Sequence, residues 1–118
     1  MLGTVAISAA VLSACASVGA PQRLADETTR AVYANDRDAA VRNFDDDLKA
    51  QVMRAQVGAL SDAMHMLGTY KGLKLVQSDA DAGRYDFAAN FDKGTMLVMI
   101  RLDPTGKVGA YRVTPTTQ

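Results

Sequence analysis

Tyr85-Asp86-Phe87-Ala88-Ala89-Asn90-Phe91, a break at Asp92-Lys93-Gly94, then Thr95-Met96-Leu97-Val98-Met99-Ile100-Arg101-Leu102: these residues decide the fold. In the first run the large apolar side chains fall on alternate positions, so one face of an extended strand is apolar and the other carries Asp86, Ala88 and Asn90. The break is a hairpin turn signal. The second run is almost continuously apolar, which predicts a strand that is central or covered on both faces. Asp103-Pro104-Thr105-Gly106 follows, with Pro and Gly placed as a type I turn uses them. Lys107 to Thr114 is then the last strand, ended by Pro115. Upstream, Leu73 to Ser78 reads as a further strand, joined to the hairpin by the polar turn Asp79-Ala80-Asp81-Ala82-Gly83.

Ahead of the strands the hydrophobic period changes from two to 3.6. Leu24, Thr28, Ala31 and Val32 form one helical stripe, with Asp26 and Glu27 near its positive end. Asn35-Asp36-Arg37-Asp38 stops that helix and caps the next, a short one from Ala39 to Phe44 that turns Ala40, Val41 and Phe44 inward. Asp45-Asp46-Asp47 opens a third helical segment: one acid caps and the others lie in the first turn. Leu48, Val52, Met53, Val57, Leu60, Met64 and Leu67 mark one long amphipathic helix, or two joined near Gly58, and Gly68 ends it. Helices first and a meander of about four strands afterwards predict an α+β domain. Its N-terminal helices pack on a curved antiparallel sheet, an arrangement that leaves a conical pocket.

The 118 residues suffice for one domain. Lys plus Arg equals Asp plus Glu, 13 against 13, which argues against a nucleic-acid partner, since such proteins carry a basic excess. The charges begin only at Arg23. Residues 1–14 are an apolar run of signal-peptide length, too short to span a bilayer. The run ends in Leu12-Ser13-Ala14-Cys15, which resembles the bacterial lipobox: an aliphatic residue, two small residues and the cysteine that receives a diacylglycerol. The resemblance implies a signal peptide over 1–14, a lipidated Cys15 with an uncharged tether over 15–22, and a folded domain over 23–118. The run departs from the signal-peptide pattern in having no Lys or Arg before position 23. The competing reading is a buried N-terminal helix with an inert cysteine. Ala16 and Ser17 are not acidic and give no signal for inner-membrane retention.

Residues 25–113 resemble the DUF3887-type domains of the NTF2-like superfamily. The resemblance is carried by Ala39-Ala40-Val41-Arg42-Asn43-Phe44-Asp45, by Leu67-Gly68 with Tyr70-Lys71-Gly72, by Tyr85-Asp86-Phe87, and by Leu102-Asp103-Pro104-Thr105-Gly106-Lys107-Val108-Gly109-Ala110-Tyr111. It implies a cone-shaped fold. Domains of that shape include ligand binders, accessory domains and a few isomerases and dehydratases, so it implies no single activity.

Candidate site residues follow from chemistry. Tyr85, Phe87, Tyr111 and Met64 are the expected pocket, because aromatic walls inside a cone suit a small ligand. Asp86 alternates with the aromatics and so points away from them. His65, the one histidine, has Asp62 a helical turn before it and reads as a boundary residue, not a base. Asp45-Asp46-Asp47, and Asp79 and Asp81 with Gly83, have carboxylates but not the convergence a cation needs. Met53, Met64, Met66, Met96 and Met99 read as core filler, or alternatively as the lining of an adaptable cavity. No nucleophile triad, phosphate loop or Cys/His metal spacing is present, and neither metal nor cofactor is expected. The expected function is that of a bacterial envelope lipoprotein, held to a membrane through Cys15, with a non-enzymatic domain for a small apolar ligand or a protein partner. The alternative is a cone-cavity enzyme of the isomerase or dehydratase type. The apolar strand Met96–Ile100 also suggests a homodimer through the sheet face.

Overall fold

The hairpin pattern folds as its periodicity requires. This computed structural model describes residues 4–116, with side chains from Gly19 onward. Four strands, β1 (Tyr70–Asp79), β2 (Arg84–Phe91), β3 (Gly94–Leu102) and β4 (Val108–Pro115), pair in sequence order, each antiparallel to the next. Four helices precede them: α1 (Thr4–Tyr33), α2 (Arg37–Ala40), α3 (Asp46–Gln51) and α4 (Arg54–Met66). The helices lie on one face of the sheet, which makes the domain α+β.

The core forms where the apolar stripes meet. Phe87, Ala89 and Phe91 of β2 and Met96, Val98 and Ile100 of β3 face Ala25 and Val32 of α1 and Val57 and Met64 of α4. Each large side chain taken from water there contributes about 1.5–3 kcal/mol. Polar ties fix the register of α1 on the sheet. The Tyr70 hydroxyl donates to Asp26 Oδ1 (2.7 Å), Gln22 Nε2 donates to the Leu73 carbonyl (3.1 Å), and the Tyr33 hydroxyl donates to the Gly68 carbonyl (3.0 Å). Ser61 Oγ of α4 donates to the Tyr33 carbonyl (2.9 Å).

Four elements differ from the sequence reading. The segment 15–22, expected as a tether, belongs to α1, and its described end packs on the body: Pro21 is buried and Gln22 holds β1. The Cys15 thiol and the run 1–14 lie outside the residues whose side chains are described. The helix expected over 39–44 is shorter, because Asp36 caps at Ala39 and Phe44 is drawn into a parallel bridge with Val108. The long helix is two, broken at Val52 and Met53 and not at Gly58; both residues are extended, and the Met53 N–H donates to Gln56 Oε1 (2.8 Å). β1 begins earlier and does not alternate in burial beyond Leu73; Val76 is 59% exposed. Two irregularities in its pairing, at Tyr70/Gly72 and Leu75/Gln77, break the period of two.

The turns behave as their chemistry demands. Asp103 Oδ1 accepts from Thr105 N, Thr105 Oγ1 and Lys107 N (2.9, 2.7 and 3.0 Å). Gly83, in the αL region at φ 71°, closes the 3₁₀ turn Ala80–Ala82; a Cβ there would stand 2.6 Å from the Leu102 carbonyl oxygen.

Candidate functional site

Between the short helices and β4 the packing leaves a cavity of about 260 Å³. Its position follows from the break in the helical run. Because α3 and α4 separate at Val52–Met53, α3 turns back to pack on β4, and a space is left between α1, the two helices and β4. Val32 of α1, Ala40 of α2, Phe44, Leu48 of α3, Val52, and Val57 and Leu60 of α4 form apolar walls. Tyr111 of β4 is the inner wall, and Gln51 and Gln56 also border the space. Phe44 and Tyr111 meet at a ring separation of 6.0 Å, tilted by 37°.

Two features hold this geometry. Arg37 closes the C-terminal end of α3: its Nη2 donates to the carbonyls of Lys49 (2.9 Å) and Val52 (3.1 Å), and its Nε to Val52 (3.2 Å). A guanidinium there satisfies carbonyls that the helix end leaves unpaired and complements its dipole. On the other wall, the Tyr111 hydroxyl lies 2.9 Å from Thr29 Oγ1, and Thr29 is fully buried. Burial pushes the Tyr111 phenol well above its ordinary range, although the bond to Thr29 opposes the shift. Tyr111 is the one titratable side chain among the lining residues, and it stays neutral.

The structure sorts the residues expected at the site. Tyr111 lines the cavity. Phe87 and Met64 are fully buried core residues and do not reach it, because their side chains interlock beneath α1 and α4. Tyr85 borders a second, more polar depression of about 430 Å³, formed by Ala80–Gly83 and Arg101–Pro104. Asp86 sits on the opposite sheet face as its alternation predicts; it is only 8% exposed, with Arg84 Nε 3.3 Å from its Oδ1. His65 stacks on Tyr33 at 4.0 Å, and its Nδ1 lies 2.8 Å from the Ser61 carbonyl, so the backbone and not Asp62 orients the ring. Asp45 and Asp79 act as helix caps toward Leu48 and Ala82. Of the methionines, Met64 and Met96 are core, but Met53 and Met66 are 65% and 78% exposed. Met53 is displaced outward by the helix break, and Met66 lies past the buried face of α4. Among the described residues no group of three His, Cys, Asp or Glu is placed to hold a metal, and no described helix is long and apolar enough to cross a membrane.

Sequence reading missed Thr29 and Arg37. Thr29 had a usable signal, since it lies beside the apolar stripe with Thr28. Arg37 had none, because its partners are carbonyls that become available only once the helix breaks. Compared with known proteins, the chain matches no protein-family model, no curated protein and no solved structure.

Proposed function

We propose that this chain is a binding module of the bacterial envelope, tethered to a membrane through a lipid on Cys15, and that its domain takes a small apolar ligand between α3, α4 and β4. The carrying observation is the apolar cavity of about 260 Å³. A cavity of ~150 Å³ lined by aliphatic and aromatic side chains takes benzene, so this one suits a neutral molecule of about ten heavy atoms. Its lining offers apolar contact, one neutral phenol and the amides of Gln51 and Gln56 at its border, which is the equipment for holding a ligand in place. The tether reading is supported by Leu12-Ser13-Ala14-Cys15 and by the absence of charge before Arg23. The NTF2-like resemblance is part of the same proposal and is compatible with helices covering one face of an antiparallel sheet.

The test uses the full chain and neutral aromatic probes of about nine heavy atoms. A probe at a hundredfold excess over its Kd is expected to stabilise the protein by about 2.7 kcal/mol, read as a rise in the thermal midpoint. Leu48→Trp fills the cavity from a half-buried position and is expected to abolish that rise while leaving the fold intact. If no probe raises the midpoint, or if the Leu48→Trp protein responds equally, the cavity is not a ligand site. For the tether, Cys15→Ser is expected to release the protein from the membrane fraction; unchanged fractionation would refute it.

A further inference from the structure

The Thr29–Tyr111 pair leaves one hydroxyl proton without an acceptor. The two oxygens are 2.9 Å apart and share one hydrogen bond, which uses one of their two protons. Thr28, its neighbour, donates to the Leu24 carbonyl one turn back (2.8 Å), as a helical threonine commonly does. Thr29 is turned toward Tyr111, and among the described residues neither hydroxyl has a second partner. Thr29 is wholly buried, whereas Tyr111 is partly buried and borders the cavity, so the spare proton is the phenol's and is available on the cavity side. A phenol that accepts from Thr29 and keeps its own proton at a cavity wall is matched to a ligand that supplies an acceptor.

We propose that the occupant of the cavity is a small apolar molecule with one hydrogen-bond acceptor of carbonyl type, and that Tyr111 is the donor that selects it. This rests on the cavity being a ligand site. Thr29 donates to the phenolic oxygen, and Tyr111 directs its own proton to the occupant. Around the tyrosine the walls are Val32, Ala40, Phe44, Leu48, Val57 and Leu60, none of which can donate from a side chain. Gln51 and Gln56 carry the other side-chain donors of the lining, and the phenol is the one on the β4 wall. Burial keeps that phenol protonated well above neutral pH, so it remains a donor throughout the physiological range.

The experiment compares two probes of nearly identical shape, acetophenone and α-methylstyrene, in which a carbonyl oxygen is exchanged for a methylene. Both are titrated into the full chain. Tyr111→Phe is expected to weaken acetophenone binding about tenfold, the value of one hydrogen bond, and to leave α-methylstyrene unchanged. The α-methylstyrene titration also shows that the variant is folded, and Thr29 regains a partner there by turning to its own helix. Thr29→Val, which keeps the phenol, is expected to hold acetophenone within about twofold of the native affinity. A second readout is the carbonyl stretch of bound acetophenone, expected at lower frequency in the native protein than in Tyr111→Phe. Equal weakening of both probes by Tyr111→Phe, or a carbonyl stretch like that in a hydrocarbon solvent, overturns the donor role and leaves the ligand site standing. Failure of both probes to bind overturns the ligand site itself.

Discussion

Individual side chains in this domain carry more than their burial. Tyr70 and Tyr111 are both neutral phenols whose ionisation is pushed above the ordinary range. Desolvation is the largest cause for each, and the Asp26 carboxylate adds to it at Tyr70. The sign of the linkage follows. A folded-state value above the unfolded one means that the native protein holds those protons longer, so their contribution is fully present below about pH 10 and is lost as pH rises beyond it. Base-induced unfolding is therefore expected to set in above about pH 10. The ultraviolet signature of tyrosinate is expected to show two of the four tyrosines ionising only with the unfolding transition. Tyr70→Phe should flatten the alkaline slope, and Tyr111→Phe should do the same independently. If all four tyrosines titrate together while circular dichroism stays native, the phenols are not held as described. At this scale the sequence was informative about caps and turns and silent about partners. Asp36, Asp45 and Gly68 act where their neighbours place them, but nothing local pairs Thr29 with Tyr111, 82 residues away.

Elements were legible wherever one face met one continuous surface. β2 and β3 alternate because a single helical layer covers them, so the period of two survives into the fold. The helical run from Leu48 to Leu67 failed as a guide at one place. Its apolar steps continue through Val52 and Met53, yet the chain breaks there, and Arg37 takes the Lys49 and Val52 carbonyls that the break leaves free. Periodicity registers which residues are apolar; it does not register a tertiary hydrogen bond at a helix end. The far half of β1 failed for the opposite reason, since no helix covers Val76 and its neighbours. The role of Arg37 can be tested at this scale. Arg37→Ala is expected to cost about 1.5–3 kcal/mol, the range for hydrogen bonds made by a charged group. The loss should be local: amides of α3 exchange hydrogen faster, while those of α4 and the central strands keep their protection. Uniform loss of protection across the domain would show that Arg37 supports the whole fold and not the cavity wall.

As a whole the molecule is two-faced, and its open face limits how it can associate. The fold class followed from the order of its elements, because each strand needs only its neighbour in sequence. The cavity did not follow, since its walls come from four helices, two linking segments and a strand that meet only after folding. The sheet face away from the helices was half legible. Its centre is apolar, with Ala88 beside Leu97 and with Met99, as the run in β3 predicts. Its surround is basic: Arg84 stands directly opposite Arg101, Arg112 opposite Met99, and Lys74 opposite Ala88. Like charges facing each other across strands destabilise a pair; of the two carboxylates among them, Asp86 is engaged by Arg84, and Asp79, opposite Arg84, caps the Ala80–Ala82 turn. A homodimer built on this face with twofold symmetry would bring two such rows together around the apolar centre. Repulsion between the exposed guanidinium groups is screened as the Debye length falls from about 10 Å at 0.1 M salt to about 3 Å at 1 M, while apolar attraction is not. Self-association through this face is accordingly expected to strengthen with sodium chloride, and sedimentation velocity across that range measures it. Arg101→Ser should move the onset to lower salt, because it removes one member of the facing arginine pair. A dimer that forms at low salt and loosens as salt is added would be held by ion pairs, and would have to use a different surface.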